Sequence, residues 1–407
     1  MRKTILLLLS LGAGSTAMAS DALPDPAAVA EALDRHPTVV AARARVGAAE
    51  AEARVHSTGP HEVTLTTSVT RRSVDFDGQY VEYDAQLTRP IRLPGKGALD
   101  RDIGRHGLDA ASNRAEDAKH QAALLLADAW WDWVATSAEA RVDQVIVDNH
   151  VRLVAAVQRR ESLGDASRLE VDQAEAALAT VRIGLEHSQG RARRARVRLE
   201  TQFPDLPLPA EAPEASIPAA PEAGWDAYQQ MIVANSHEIG AARAEAARSS
   251  SLAAKARRDR TADPSIGVRV FSERGGMEKG GGLVLSIPFG GGHRSALADR
   301  AAAEASAAAA DVRAVEANVA EVAATDIADA EYRLAAWQRA RDALGSQMAA
   351  LTKLRRGYEL GEVDLVDLLA AERLVGEAFR AEALITVEAY RAVTRVRIDS
   401  HELWLGD

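Results

Sequence analysis

Two carboxylates three residues apart, Asp364 and Asp367, are the sharpest chemical feature of this sequence. Residues at that spacing share one face of a helix, so the pair predicts a local patch of negative charge. Where identical chains surround an axis, the copies form an acidic ring, which favours cations over anions at a narrow opening. The remaining side chains do not gather into a reaction centre. The ten histidines are dispersed and no two stand at i, i+4. Cysteine is absent, so neither a helical metal site, a thiolate site nor a disulfide is expected. Gly280–Gly282 and Gly290–Gly292 lack the Lys-Ser/Thr of a phosphate-cradling loop and read as turn glycines. Trp130, Trp131 and Trp133 read as packing near a helix junction. The expectation is a protein that is not an enzyme, with no catalytic residue, cofactor or resident metal.

The acidic pair follows the longest ordered stretch. From His293 to Tyr358 no proline interrupts a run rich in Ala, Glu and Arg, all good helix formers. At ~1.5 Å per residue such a helix reaches roughly 100 Å, far beyond a compact domain. Val312, Val315, Val319 and Val322 recur at spacings of three and four. So do Ala330, Leu334, Trp337, Arg341, Leu344, Met348 and Leu351, after a one-residue slip near Thr325-Asp326. That is the pattern of a coiled-coil helix with a local change of twist. It breaks at Gly357 to Gly361 and resumes from Val363, which predicts a helical hairpin.

Bulk composition agrees. The chain has 407 residues, yet much of its 47% hydrophobic share is alanine and only 4% is aromatic, which suits helices in thin layers rather than wide cores. A net charge of −10 argues against nucleic acid as a partner. Residues 1–19 read as a signal peptide: Arg2-Lys3, the apolar run Ile5 to Leu11, and Ala17-Met18-Ala19 before Ser20. No later apolar run approaches the ~20 residues of a membrane helix. Entry into a membrane would have to be as a barrel.

Taken in order, the chain states one plan twice. A helix over Asp25 to His56 precedes two strands within about 61–90, where Val81, Tyr83, Ala85 and Leu87 alternate with polar residues. A helical hairpin fills about 98–202, turning at Leu163-Gly164, with Ser167 placed to cap the return. Residues 204–224 carry six prolines, from Pro204 to Pro221, and read as an extended linker. Then Ala41-Ala42-Arg43-Ala44 reappears as Ala241-Ala242-Arg243-Ala244, and Leu163-Gly164 as Leu360-Gly361. The second unit has a β-hairpin at about 264–289, with a Gly-rich turn over Glu273 to Gly282, and a helical hairpin at about 293–400. The predicted domains are therefore 20–203 and 225–407, a tandem duplication.

Four strands cannot close a barrel, because the smallest outer-membrane barrels have about eight, and open edges in lipid leave backbone groups unpaired. The apolar face of Val81, Tyr83, Ala85 and Leu87 has no other apolar segment to cover it. Lipid and pooled strands answer both difficulties. The alternative is a sheet packed on helices in a soluble periplasmic coiled-coil adaptor or scaffold.

The duplicated layout resembles the TolC-type outer-membrane efflux factors. The resemblance is carried by Arg89-Pro90 to Pro94-Gly95-Lys96, by Ile287-Pro288 to Gly290-Gly291, and by the tip Tyr358-Glu359-Leu360-Gly361 to Leu365-Val366-Asp367-Leu368-Leu369. The Leu-Pro-Gly-Lys segment is more similar to the heavy-metal, CzcC-like branch. The resemblance implies a mainly α fold with transmembrane β: a homotrimer whose twelve-stranded β-barrel in the outer membrane continues into an α-helical coiled-coil barrel in the periplasm. It implies a passive channel partnered by a periplasmic adaptor, an inner-membrane transporter and outer-membrane lipid. Efflux of metal ions or small toxic compounds is the expected task, with type I protein secretion as the alternative. It places Asp364, Asp367 and Tyr358 at the pore constriction, and Leu163, Gly164, Leu360 and Gly361 at adaptor-docking tips. Val81, Tyr83, Ala85 and Leu87 become the lipid-facing strand. The sequence departs from some members at Ala370, where they are acidic, and at Val363, where they are basic.

Overall fold

The computed structural model describes residues 22–221 and 223–405; the signal peptide expected over residues 1–19 lies outside them. The helices α1 (Pro26–Arg35) and α2 (Pro37–Thr58) lead into strands β1 (Thr64–Val74) and β2 (Gly78–Pro90). A hairpin of α3 (Lys96–Leu163) and α4 (Arg168–Gln202) follows. Helices α5 (Trp225–Asn235) and α6 (His237–Arg258), strands β3 (Ser265–Glu273) and β4 (Glu278–Ser286), and a hairpin of α7 (Gly292–Leu360) and α8 (Leu365–Asp399) repeat the order.

Where one helix was expected over Asp25 to His56, there are two. Proline has no N–H for a continuing helical bond and suits a first helical position, so Pro37 opens α2 rather than extending α1. The equivalent break lies at Ser236, whose hydroxyl accepts the Ile239 N–H at 3.3 Å to start α6. The Gly-rich turn is also shorter than expected. Arg274–Gly276 makes the turn, while Gly280, Gly281 and Gly282 lie inside β4, opposite Phe271, Val270 and Arg269. A Cβ on Gly280 would stand 2.4 Å from the Phe271 ring. That glycine makes room for an aromatic neighbour.

The chain forms two compact units. One comprises residues through Ala32, Leu124–Trp225 and Asp326–Arg397; the other comprises Leu33–Ala123, Asp226–Thr325 and the chain from Ile398. The first unit holds both helical turns, and its core joins the two hairpins through Val154, Val157, Val171, Leu351, Leu365 and Leu368. Its tryptophans are packing residues. Trp131 is fully buried, stacks on Tyr390 at 5.4 Å between ring centroids, and donates to Thr394 Oγ1 at 3.1 Å. Trp130 donates to the Ala22 carbonyl at 2.7 Å. The second unit holds the sheet, ordered β1-β2-β3-β4 and antiparallel throughout.

Candidate functional site

Register makes one face of the sheet apolar from edge to edge. Leu65 pairs with Leu87 and Val69 with Tyr83; Leu87 pairs in turn with Val268, Ala85 with Val270, and Val268 with Leu283. Directly paired residues project to the same side, so these side chains form one surface. Among the described residues nothing covers it: Leu65 is 65% exposed, and Leu283 is 90% exposed. Val81, Tyr83 and Leu87 are exposed and Ala85 is partly so. Burying a Val, Leu or Ile side chain is worth roughly 1.5–3 kcal/mol, and a face of this breadth in water forgoes that many times over. The opposite face is polar. There Arg269 pairs with Asp84 and Arg72 Nη1 lies 3.4 Å from Glu82 Oε1. β1 and β4 each pair on one side only within the sheet.

The two helical turns have the same construction. Gly164 donates to Glu161 at 2.9 Å and Asp165 to Arg160 at 2.9 Å. Gly361 donates to Tyr358 at 3.1 Å and Glu362 to Gly357 at 2.9 Å. These are Schellman ends, each needing a left-handed residue, and the glycines supply φ of 81° and 76°. Leu163 and Leu360, just before them, are exposed. The return helices begin on caps. Ser167 accepts from Glu170 N at 3.2 Å and donates from its own N–H to Glu170 Oε2 at 2.8 Å, a complete capping box.

The acidic pair is divided by the same geometry. Asp364 precedes α8 rather than lying on its face, and its Oδ1 accepts the Asp367 N–H at 2.9 Å. Asp364 is thus the cap of α8, and both carboxylates are exposed. Tyr358, expected with them at the constriction, packs in the core of the hairpin pair. It is 8% exposed, with the Arg160 guanidinium 4.6 Å from its ring centroid. Burial pushes its phenol above the ordinary tyrosine range, against the opposing effect of Arg160.

Two groupings emerge that the sequence did not signal. Where helices meet sheet, Lys96 is 3% exposed, and its Nζ reaches Asp263 at 2.9 Å, Asp259 at 3.0 Å and the Thr261 carbonyl at 2.7 Å. Asp263 also receives the Leu93 N–H at 3.1 Å and pairs with His61 at 3.2 Å. Burial alone would lower the ammonium and raise the carboxyl. Their hydrogen bonds outweigh it, so Lys96 lies above its usual range and Asp263 below. Separately, the rings of His120 and His237 lie 5.5 Å and 4.9 Å from that of His401, and His120 Nε2 lies 2.8 Å from Asp399 Oδ1. They come from three elements far apart in sequence, so no local spacing could announce them. Among the described residues no group of His, Asp or Glu has the geometry to hold a metal ion.

No described helix is long and apolar enough to cross a membrane. Residues 28–202 match the sequence pattern of the family described as outer membrane efflux protein. No curated protein matches the chain at the sequence level. Among solved structures, the outer membrane protein VceC of Vibrio cholerae superposes with a TM-score of 0.73 at 18% identity, over 93% of this chain and 95% of that one. The CmeC outer membrane channel of Campylobacter jejuni gives 0.70 at 14%, over 94% and 86%. The MtrE outer membrane channel of Neisseria gonorrhoeae gives 0.71 at 17%, over 93% and 89%. At these identities the likeness is one of fold.

Proposed function

We propose that the whole chain, of which residues 28–202 match the outer membrane efflux protein family, is the outer-membrane channel subunit of an export assembly. It conducts passively from the periplasm to the exterior. The observation that carries this reading is the bare apolar face on a sheet with two open edges. In water that face is a large loss; in hydrocarbon it is at home. The edges then decide the assembly. Unpaired backbone groups in lipid cost several kcal/mol each, so β4 of one copy pairs with β1 of the next until the ring closes. Three copies give twelve strands, the homotrimer that the resemblance to efflux factors implies, and contacts of this head-to-tail kind close only as a ring.

The helical hairpins form the periplasmic extension. Their exposed tips, Leu163-Gly164 and Leu360-Gly361, dock a periplasmic adaptor that links the channel to an energy-supplying inner-membrane transporter. Asp367, with Asp364 behind it as a cap, puts negative charge at the periplasmic opening, and Tyr358 braces that end from within. Metal ions or small toxic compounds are the proposed cargo. The two units of one plan, 20–203 and 225–407, are proposed to descend from one duplicated segment.

Membrane extraction tests the reading. The protein should resist salt washes, enter solution only with detergent, and run there as a trimer. Release by salt alone as a single chain would sink it.

A further inference from the structure

The four strands end together on one side: Thr64 is opposite Thr88, Pro90 opposite Ser265, and Ser265 opposite Ser286. Every helix that enters or leaves the sheet does so at that end. Charge is unevenly distributed between the two ends. In residues 54–62, 89–105, 255–263 and 293–300, which flank the helix-bearing end, twelve Lys and Arg stand against six Asp and Glu. Residues 71–82 and 273–279, around the two strand turns, carry four against five. The excess is positive in a chain whose net charge is −10.

Part of this positive charge is compensated. Arg92 and Lys255 pair with Asp100, Arg260 with Asp299, and Lys96 with Asp259 and Asp263. Six arginines have no carboxylate partner among the described residues: Arg54, Arg89, Arg101, Arg257, Arg258 and Arg294. Five of the six are exposed. Arg89 and Arg294 donate to the carbonyls of His61 and Arg260, which leaves their charge unbalanced. All six lie within about a dozen residues of the strand ends, a basic collar along the chain where strands give way to helices.

We propose that this collar is a binding surface for anionic phospholipid headgroups, seated at the periplasmic leaflet of the membrane that the sheet enters. The proposal rests on the channel reading. The occupant follows from continuity and charge. Apolar side chains stop at the strand ends, where hydrocarbon must give way to headgroups, and there the protein presents unpaired guanidinium groups. Arginine recognises phosphate through paired N–H donors. A basic side chain near an anionic lipid surface gains about five-fold in partitioning. The collar therefore fixes how deep the sheet sits and which way round it faces.

The test uses the full chain, purified in detergent and equilibrated with mixed phosphatidylglycerol and phosphatidylcholine, with retained lipid measured by mass spectrometry. The wild type should retain phosphatidylglycerol in preference, and lose that preference as salt is raised. Combined Arg54→Gln, Arg101→Gln, Arg257→Gln and Arg258→Gln should reduce the preference by roughly an order of magnitude or more. Equal charge removal on the helical hairpins, at Arg159, Arg182, Arg193 and Arg194, should leave it unchanged. Equal retention of both lipids by the wild type, a salt-insensitive preference, or enrichment of lipid A phosphates alone would overturn the proposal. The salt titration needs only the wild type, so it decides even where the fourfold variant does not fold. A protein that needs detergent yet ignores headgroup charge defeats the collar alone; one released by salt without lipid defeats the channel as well.

Discussion

Arg355 donates through Nε and Nη2 to a single oxygen of Glu372, at 2.9 and 2.6 Å, and so ties α7 to α8 shortly before Gly361. The first hairpin carries the same brace, in neutral form, where Gln158 Nε2 donates to Glu175 Oε1 at 2.9 Å. The partners are 17 residues apart in both. Glu372 is the more buried of its pair, so its carboxylate depends on that donor. Arg355→Gln should copy the first hairpin and cost about 1 kcal/mol or less, whereas Arg355→Leu leaves an unmet carboxylate and should cost ~1–3 kcal/mol. Thermal melting of the detergent-solubilised protein separates the two, and identical melts would show that the brace carries no stability.

The turns themselves make a second prediction. Gly361 has a φ of 76° and open space around its Cα, so only its backbone conformation restricts substitution. Gly361→Asn should be tolerated and Gly361→Val should not, because a β-branched residue is strained there. Gly357 is restricted by a neighbour instead, since a Cβ would meet Val363 Cγ2 at 2.7 Å. If the tips are docking surfaces, bulky charged residues at Gly164 or Gly361 abolish export while trimers persist. Normal export from both variants would take the tips out of docking.

Much of this was legible in the sequence because its causes are local. Gly164, Ser167 and Gly361 are residues that helix ends demand, and alternation along Val81 to Leu87 is what a sheet with one apolar face demands. Gly280–Gly282 resemble a turn in composition, yet they lie in β4, where Gly280 admits Phe271 across the strand pair, and the turn itself is Arg274–Gly276. Spacing cannot distinguish a cap from the first turn it caps, so the pattern alone sets Asp364 on a helix face that begins one residue later. A motif gives Tyr358 its place in sequence, but its burial against Arg160 depends on partners in another hairpin. Lys96 and Asp263 met across more than 160 residues, a proximity set by register that no window of sequence contains.

Capping and charge at the acidic pair can be separated by substitution. Asp364→Asn keeps a side-chain acceptor for the Asp367 N–H, so the cap survives and only charge is lost; Asp364→Ala removes both and should cost ~1 kcal/mol. Asp367→Ala leaves the cap intact. In planar bilayers, Asp367→Ala and Asp364→Asn should each weaken cation selectivity or raise conductance. Unchanged currents from both would remove the pair from the constriction.

The junction clamp and the histidine cluster predict opposite responses to acid. The Asp263 carboxyl is held low by Lys96, the Leu93 N–H and His61 against the effect of burial. A group depressed on folding stabilises above its unfolded pKa, and that stability is lost as pH falls through the folded value. In the cluster Glu238, which follows His237 in α6, is raised, first by burial and then by Asp117 and Asp399, against the effect of His120. Its contribution is present below the unfolded pKa near 4.5 and is lost as pH rises through the folded value. Glu238→Gln should therefore stabilise the protein at neutral pH and do nothing at pH values where the native carboxyl is already protonated. Asp263→Asn should destabilise it at neutral pH and flatten the acid limb of the melting curve. Melting temperatures of both variants across the acid range provide the check. Parallel shifts at every pH would mean that the two carboxyls act by packing and not by charge.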